Sequence, residues 1–139
     1  MKITYANAWS FNFTLYIHIH PSSITIATGE VFDVECRDSK TGDGAFLSVT
    51  ESTDIQNIQD IPTSFFLDNL FAPTGRFSFY GSPTNVKVKK TEMQGDKRVI
   101  EFSFSNLSQS TNAEIPRTAL MIAAKPTNVN QVIMLVGSA

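Results

Sequence analysis

Three short apolar runs with the period of β-strands follow one another in the last third of the sequence. They are "KRVIEFSFSN" from Lys97, "RTALMIAAK" from Arg117 and "NQVIMLVGSA" from Asn130. A buried helix is the competing interpretation of such runs. Each is at most about ten residues long and is bounded by Pro, Asn or Gly, which favours strands. The pattern therefore predicts a β-sheet as the core of the fold.

The three runs differ in the faces that they make apolar. In Lys97–Ser105, Ile100 and Phe102 belong to one apolar parity while the other parity is partly polar, which predicts a strand near an edge with one buried face. In Ala119–Ala124 and Val132–Val136, apolar residues occupy both parities. This pattern predicts two central strands that are covered on both faces.

A single helix is predicted before these strands. Thr63 or Ser64 can cap its start, and Pro73 and Gly75 can end it. Four apolar residues then gather at helical spacing: Phe65, Phe66, Leu70 and Phe71. The order of strands, one helix and a strand meander predicts an α+β fold, a single domain with a central antiparallel β-sheet and helix cover.

The first part of the chain is less regular. Residues 1–23 form a poorly defined N-terminal segment, in which Phe11–His20 alternates as a strand would and Pro21 ends it. "EVFDVECRD" and "AFLSVTES" then predict a hairpin across the glycine-containing "SKTGDG". "QGD" predicts another tight turn between "VKVKKTEM" and the strand from Lys97. Residues 24–139 are thus expected to form the folded domain.

Length and composition describe one globular domain. The chain has 139 residues, 42% of them hydrophobic and 17% charged, and it is long enough to bury a core without metal or disulfides. No apolar run is long enough to span a membrane as a helix. Cys36 is the one cysteine, so no intrachain disulfide forms. We expect it to pack as a small core residue, with a reactive or intermolecular thiol as the alternative.

Charge is distributed unevenly along the chain. Residues 29–70 hold nine acids against two bases, whereas residues 71–99 hold six bases against two acids. The basic hairpin predicts a surface that docks onto a charged partner. The alternative is a solvated edge whose lysines discourage edge-to-edge pairing. Nucleic acid is not indicated, because the net charge is −2 and no aromatics alternate with the lysines. The docking candidates are Lys87, Lys89, Lys90, Lys97, Arg98 and Arg117.

The sharpest candidate for chemistry is the pair His18 and His20. On a strand the two imidazoles would point to one side, as a zinc site requires, but no spacing indicates the remaining ligands. We therefore favour partner-facing or partly buried histidines. Asp38–Gly44 has some features of a calcium loop, yet Lys40 and Gly42 stand where oxygen ligands are needed, which favours a turn.

Five elements follow one another over roughly residues 30–139: "FDVECRDSKTGDGAFLSVTES", "IPTSFFLDNLF", "GDKRVIEFSF", "IPRTALMIAA" and "QVIMLVGSA". Their succession resembles the PsbP family of thylakoid-lumen proteins. The family's tryptophan-containing opening is not met, since Trp9 precedes "SFNFTLY" here. The family's "RW" motif and C-terminal helix do not follow Ala139. We therefore expect a domain truncated at the C-terminus, or another polypeptide or partner over Val132–Ala139.

The resemblance implies an αβα sandwich like that of PsbP and Mog1. It also implies a non-catalytic extrinsic subunit or assembly factor on the lumenal side of a photosynthetic membrane complex. That complex would be photosystem II, photosystem I or the chloroplast NDH-like complex. No cofactor is implied, and calcium or zinc is left open. Two alternatives remain: a metal-binding enzyme that uses His18 and His20, and a soluble Mog1-like adaptor outside plastids.

Overall fold

The computed structural model describes ten segments of the chain. They are residues 2–6, 12–16, 24–28, 34–38, 43–52, 54–55, 57–71, 83–108, 110–127 and 130–139; before residue 43 only the backbone pairing is described. The strands are β1 (Lys2–Ala6), β2 (Asn12–Tyr16), β3 (Ile24–Thr28), β4 (Val34–Asp38), β5 (Gly44–Glu51), β6 (Thr84–Gln94), β7 (Lys97–Leu107), β8 (Glu114–Ala124) and β9 (Gln131–Ser138). A 3-10 turn (Ile58–Asp60) and helix α1 (Thr63–Phe71) lie between β5 and β6.

Seven of these strands pair into one antiparallel sheet. Their order is β3-β4-β5-β9-β8-β7-β6, and β1 and β2 form a separate antiparallel pair. The predicted hairpin of "EVFDVECRD" and "AFLSVTES" is confirmed as the β4–β5 pair. Both β8 and β9 occupy central positions, and β7 lies one strand from the β6 edge. The α+β prediction of an antiparallel sheet with a helix is therefore confirmed at this level.

One face of the sheet, which we call the inner face, carries the hydrophobic core. Helix α1 and the 3-10 turn pack on it because Phe66 and Leu70 lie four positions apart and project from one side of the helix. Both side chains are fully buried. Phe71 adds edge-to-face contacts, with ring centroids 5.8 Å from Phe102 and 5.2 Å from Phe104. The predicted helix and its apolar side are thus confirmed.

A polar contact also ties α1 to the sheet. The Thr50 hydroxyl on β5 donates to Asn69 Oδ1 at 3.0 Å, and Asn69 Nδ2 donates to the Phe65 carbonyl at 2.7 Å. An asparagine that bonds within its own helix and also to a strand has its polar atoms satisfied despite partial burial. The contact helps to set how α1 lies on the strands.

The opposite, outer face of the sheet is less completely covered. Leu47 and Ile133 are buried there, whereas Ile122 and Leu135 keep intermediate exposure. Leu120 on β8 is 47% exposed. The prediction that β8 is covered on both faces is therefore wrong at Leu120. Apolar residues at both odd and even positions of a strand do not show that both of its faces are buried, because folded surfaces also carry isolated apolar side chains.

The hairpin of β6 and β7 has the tight turn that "QGD" predicts. Gln94 pairs with Lys97, so Gly95 and Asp96 form a two-residue turn. Gly95 has a φ of 63°, which glycine adopts at no steric cost.

Across the described segments, helical cover lies on the inner face only, so helices on both faces of the sheet stay a prediction.

Candidate functional site

Two irregularities in β6 determine where its lysines lie. The pairing of β6 with β7 shifts by one residue between Thr84 and Lys87, and again between Val88 and Lys90. Asn85 has a φ of 55° at the first shift. Each shift places an extra residue in β6, as a β-bulge does, and a bulge changes the face on which the following residues lie.

The second bulge brings neighbouring lysines to the same face. Val88 lies opposite Phe102, an inner-face residue, so Lys87, opposite Ser103, faces outward. Lys90 lies opposite Glu101 and also faces outward, although strict alternation would place Lys87 and Lys90 on different faces. Lys89, the extra residue, extends to 3.9 Å from Glu101. We call Lys87, Lys89 and Lys90 the lysine ridge.

A groove runs beside the lysine ridge on the outer face. Its volume is about 660 Å³, and its basic lining residues are Lys87, Lys89 and Arg117. Three hydroxyl residues also line it: Ser103, Ser105 and Thr118. Ser103 pairs with both Lys87 and Thr118 in the sheet, so these three side chains stand in one row across β6, β7 and β8. The row places an ammonium group next to two hydroxyls.

The cations of this region differ in their ion pairs. Lys90 Nζ is 2.7 Å from Glu92 Oε2, and this hydrogen bond raises the pKa of Lys90 and lowers that of Glu92. Gln94 donates a further bond to Glu92 at 2.9 Å, which acts in the same direction on the Glu92 pKa. Lys87, in contrast, has no carboxylate within 4.0 Å among the described residues. Lys87 is therefore the ridge lysine whose charge is least compensated.

Lys97 lies at the hairpin turn rather than at the groove. Its Nζ is 2.8 Å from Asp96 Oδ1, and this hydrogen bond lowers the pKa of Asp96. Arg117 is among the residues that line the groove, but it lies opposite Phe104, an inner-face residue, and its Nη1 donates to Asp43 Oδ1 at 3.2 Å. The structure thus brings the side chains of Lys87 and Lys89 together at the groove, while Lys90 adjoins it and Lys97 lies outside it.

Arg98 is not at this surface. It lies on the inner face opposite Met93 and is only 9% exposed. Its Nη1 donates to the Ile61 carbonyl, its Nη2 to Thr63 Oγ1 at 2.7 Å and its Nε to Thr91 Oγ1 at 3.2 Å. The prediction that Arg98 belongs to an exposed docking surface is therefore wrong, because alternation along β7 turns it toward the core.

Arg98 instead holds the start of α1 on the sheet. Its guanidinium carbon lies 5.3 Å from the centre of the Phe66 ring, a cation–π distance. The Thr63 hydroxyl, which the sequence suggests as a helix cap, accepts a bond from Arg98. Burial lowers the pKa of Arg98, but an arginine stays charged at neutral pH. The residue is thus a buried structural cation.

Two acidic residues lie on the helix side of the sheet. Asp60 in the 3-10 turn and Asp68 in α1 are exposed, and both elements cover the inner face. The lysine ridge is on the outer face. The sheet therefore separates these two carboxylates from the lysine ridge.

The metal and thiol hypotheses depend on side chains that lie mostly outside the described part of the structure. His18 and His20 lie there, as do the four residues between β4 and Asp43. Within the segments that the structure describes, no group of three or more His, Cys, Asp or Glu side chains could hold a metal ion. Those segments also contain no helix that is long and apolar enough to cross a membrane.

Sequence reasoning missed the bulge and the hydroxyl row. "VKVKK" does carry a signal for the bulge, because Lys89 and Lys90 break the alternation that precedes them. No comparable signal marks Ser103 and Thr118, since their juxtaposition depends on the register of three strands. In comparisons with known proteins, no family model and no curated relative matches the chain.

Proposed function

We propose that this chain is a non-catalytic docking module that binds an acidic protein surface through the outer face of β6–β8. The observation that carries the proposal is the bulge that gathers the lysine ridge on one face. Three positive charges on a rigid sheet attract an acidic patch and orient it, because complementary potentials raise the association rate and set the register of a complex.

Leu120 supports a docking role for the same face. It lies opposite Glu101 on the outer face, with β7 between it and the lysine ridge, and it is 47% exposed. A large exposed apolar side chain on the same face as charged residues resembles the anchor and polar rim of protein interfaces. Asp60 and Asp68, on the helix side of the sheet, would stay away from such a partner, which favours one orientation of the bound chain.

The proposed setting comes from the resemblance to the PsbP family. We propose an extrinsic subunit or assembly factor on the lumenal side of a thylakoid membrane complex, either photosystem or the NDH-like complex. The fold is compatible with that family in its antiparallel sheet and its helix. Fold alone does not fix function, so the setting depends on the experiment below.

Co-migration with solubilised complexes tests this proposal. Thylakoid membranes washed free of peripheral proteins are incubated with the chain, solubilised and separated by size, and the chain is located by a tag. We expect it to migrate with one membrane complex at low salt and to leave that complex as salt rises, because exposed charges are screened. Charge reversal of the whole ridge, Lys87→Glu with Lys89→Glu and Lys90→Glu, should weaken binding on the order of tenfold or more.

Lys97→Glu is the control for the single variant Lys87→Glu. Each reverses one charge on the same hairpin, but Lys97 lies outside the groove and is paired with Asp96. Equal losses for these two single variants would show a diffuse attraction rather than docking by this face. Migration of the wild-type chain as free protein at every salt concentration would contradict a stable subunit, and binding to another cellular fraction would favour the adaptor alternative.

A further inference from the structure

The groove on the outer face has a lining that suits a small anion. Its ionisable lining residues within the described segments are all basic, and no aspartate or glutamate lines it. Two side-chain carboxylates contact lining residues from outside: Glu101 is 3.9 Å from Lys89, and Asp43 pairs with Arg117. Lys87 and Lys89 therefore supply the side-chain charge above the row of Lys87, Ser103 and Thr118, which Ala139 adjoins through its backbone pairing with Thr118.

Among the described residues, the side-chain donors in this row have no partner: the hydroxyls of Ser103 and Thr118 make no hydrogen bond there, and the Lys87 ammonium has no ion pair. Directly opposite residues on neighbouring antiparallel strands have Cβ atoms roughly 5 Å apart. The ammonium of Lys87 and the two hydroxyls therefore border the same part of the groove, and Lys89 lines the groove beside them.

Two ammonium groups and two hydroxyls match the chemistry of a tetrahedral oxyanion. Phosphate carries up to two negative charges near neutral pH and presents several strong acceptor oxygens. Hydrogen bonds to the anion are shorter and stronger when the donor is charged, as a lysine ammonium is. The two hydroxyls can donate to the anion oxygen that faces the sheet. The groove, at about 660 Å³, is also as large as the sites that hold small organic ligands.

We propose that this groove is a binding site for a phosphate or sulfate group, either the free ion or its ester on a small molecule. Lys87 and Lys89 supply the charge, and Ser103 and Thr118 supply neutral donors. This proposal goes beyond the proposed docking function: the two share Lys87 and Lys89, but docking does not need the two hydroxyls.

Binding of inorganic phosphate, inorganic sulfate and O-phosphoserine to the purified chain tests the site. Titrations by calorimetry and by backbone amide NMR are run at constant ionic strength, with chloride replacing the tested anion. We expect saturable binding, with shifts concentrated at residues 87–89, 103 and 118. Ester binding as tight as that of the free ion would identify a small phosphoester as the ligand, and weaker ester binding would identify the free ion.

Two variants and one control locate the site. Lys87→Gln should weaken binding at least tenfold, and Ser103→Ala with Thr118→Val should do so about tenfold, because two hydrogen bonds are lost while every charge is kept. Lys90→Gln removes the same charge from the same strand but outside the groove lining, and should leave affinity within about twofold. All these positions are exposed or half-buried, so the variants should stay folded.

Three results would overturn the proposal. They are the absence of saturable binding, an equal loss for Lys87→Gln and Lys90→Gln, or unchanged affinity when both hydroxyls are removed. The last variant also separates the two proposals, since it keeps the lysine ridge. If it still docks onto the membrane complex but no longer binds phosphate, both proposals stand, and if it docks but binds phosphate as the wild type does, only this one fails.

Discussion

The inner and outer faces of the sheet are built from the same strands, yet they have different physical characters. Met121 and Leu120 are neighbours on β8, and the first is fully buried while the second is 47% exposed. Arg98 and Lys97 are neighbours on β7, and the first is enclosed by α1 while the second is in solvent. One step along a strand therefore separates a residue that stabilises the fold from one that is available to a partner.

This comparison shows that charge alone does not identify a functional residue. Arg98 makes hydrogen bonds through all three of its guanidinium nitrogens, and these bonds hold the fold together. Lys87 has no described ion pair, and it lines the groove. We therefore assign binding to Lys87, whose charge makes no described ion pair within the fold.

Truncation on the two faces of β8 should give the largest difference. We expect Met121→Ala to lower the free energy of unfolding by about 3 kcal/mol, because it leaves a cavity in a close-packed core. Leu120→Ala should cost less than about 1 kcal/mol, since half of that side chain is already in water. Urea unfolding of both variants measures the difference. Equal losses would show that the outer face is covered as tightly as the inner face.

Removal of the buried cation should give the next largest effect. Arg98→Met keeps the apolar stem but leaves the Ile61 carbonyl and the Thr63 hydroxyl without their donor, which should cost about 2 kcal/mol. Arg98→Lys should recover only part of this loss, because an ammonium lacks the planar fork of donors. The measurement is again urea unfolding, with amide hydrogen exchange in α1 as a local readout.

Lys97→Met is the control for this pair of variants. It removes a cation one residue away, on the solvent side of the same strand, and should leave both stability and α1 exchange nearly unchanged. If Arg98→Met were as stable as the Lys97 variant, Arg98 would not be the residue that holds α1 on the sheet.

Deletion of Lys89 should have a small effect on stability and should remove one charge from the lysine ridge. Without the extra residue, Val88 still lies opposite Phe102 and Lys90 still lies opposite Glu101, so the ladder becomes regular and no side chain changes face. We expect a change within about 1 kcal/mol. Lys89→Gln keeps the bulge and is the matched variant.

Deletion of Val99 is the contrasting case. It also shortens the hairpin by one residue, but the ladder there is regular, so Arg98 or Ile100 must turn to the outer face. We expect this deletion to prevent cooperative unfolding or to lower the urea midpoint sharply. Similar tolerance of both deletions would show that the bulge in β6 is not at Lys89.

The pair of Lys90 and Glu92 should contribute least, because both side chains are exposed and the pair is screened by salt. The Glu92 pKa is lowered in the folded chain, so its contribution is present above the pH at which unfolded glutamates titrate and is lost as pH falls through the folded pKa. The Lys90 pKa is raised, so its contribution is lost only as pH rises through that alkaline value.

Comparison of the wild type with Glu92→Gln from acid to neutral pH measures this pair. The difference in unfolding free energy should be constant near neutral pH, shrink below about pH 4 and fall with added salt. A difference that persists unchanged in acid would mean that the glutamine variant perturbs packing rather than charge.

Much of the fold could be predicted from local patterns. The alternation of Ile100, Phe102 and Phe104, the spacing of Phe66 and Leu70, and the Gly95 turn each depend on nearby residues, and the structure confirms all three. The candidate site could be predicted only in part. The sequence predicts Lys87, Lys89 and Lys90 on one docking surface, and all three belong to the lysine ridge, whereas it does not predict the burial of Arg98.

The sequence by itself thus determined the strand and helix periods, the turn at Gly95 and the uneven distribution of charge. Tertiary structure alone decided that Arg98 is buried, that Leu120 is open and that Lys87, Ser103 and Thr118 form one row. The physical reason is the range of the interactions. Periodicity and turn preference act over a few residues, but burial and cross-strand neighbours depend on register, and one bulged residue changes that register for every side chain beyond it.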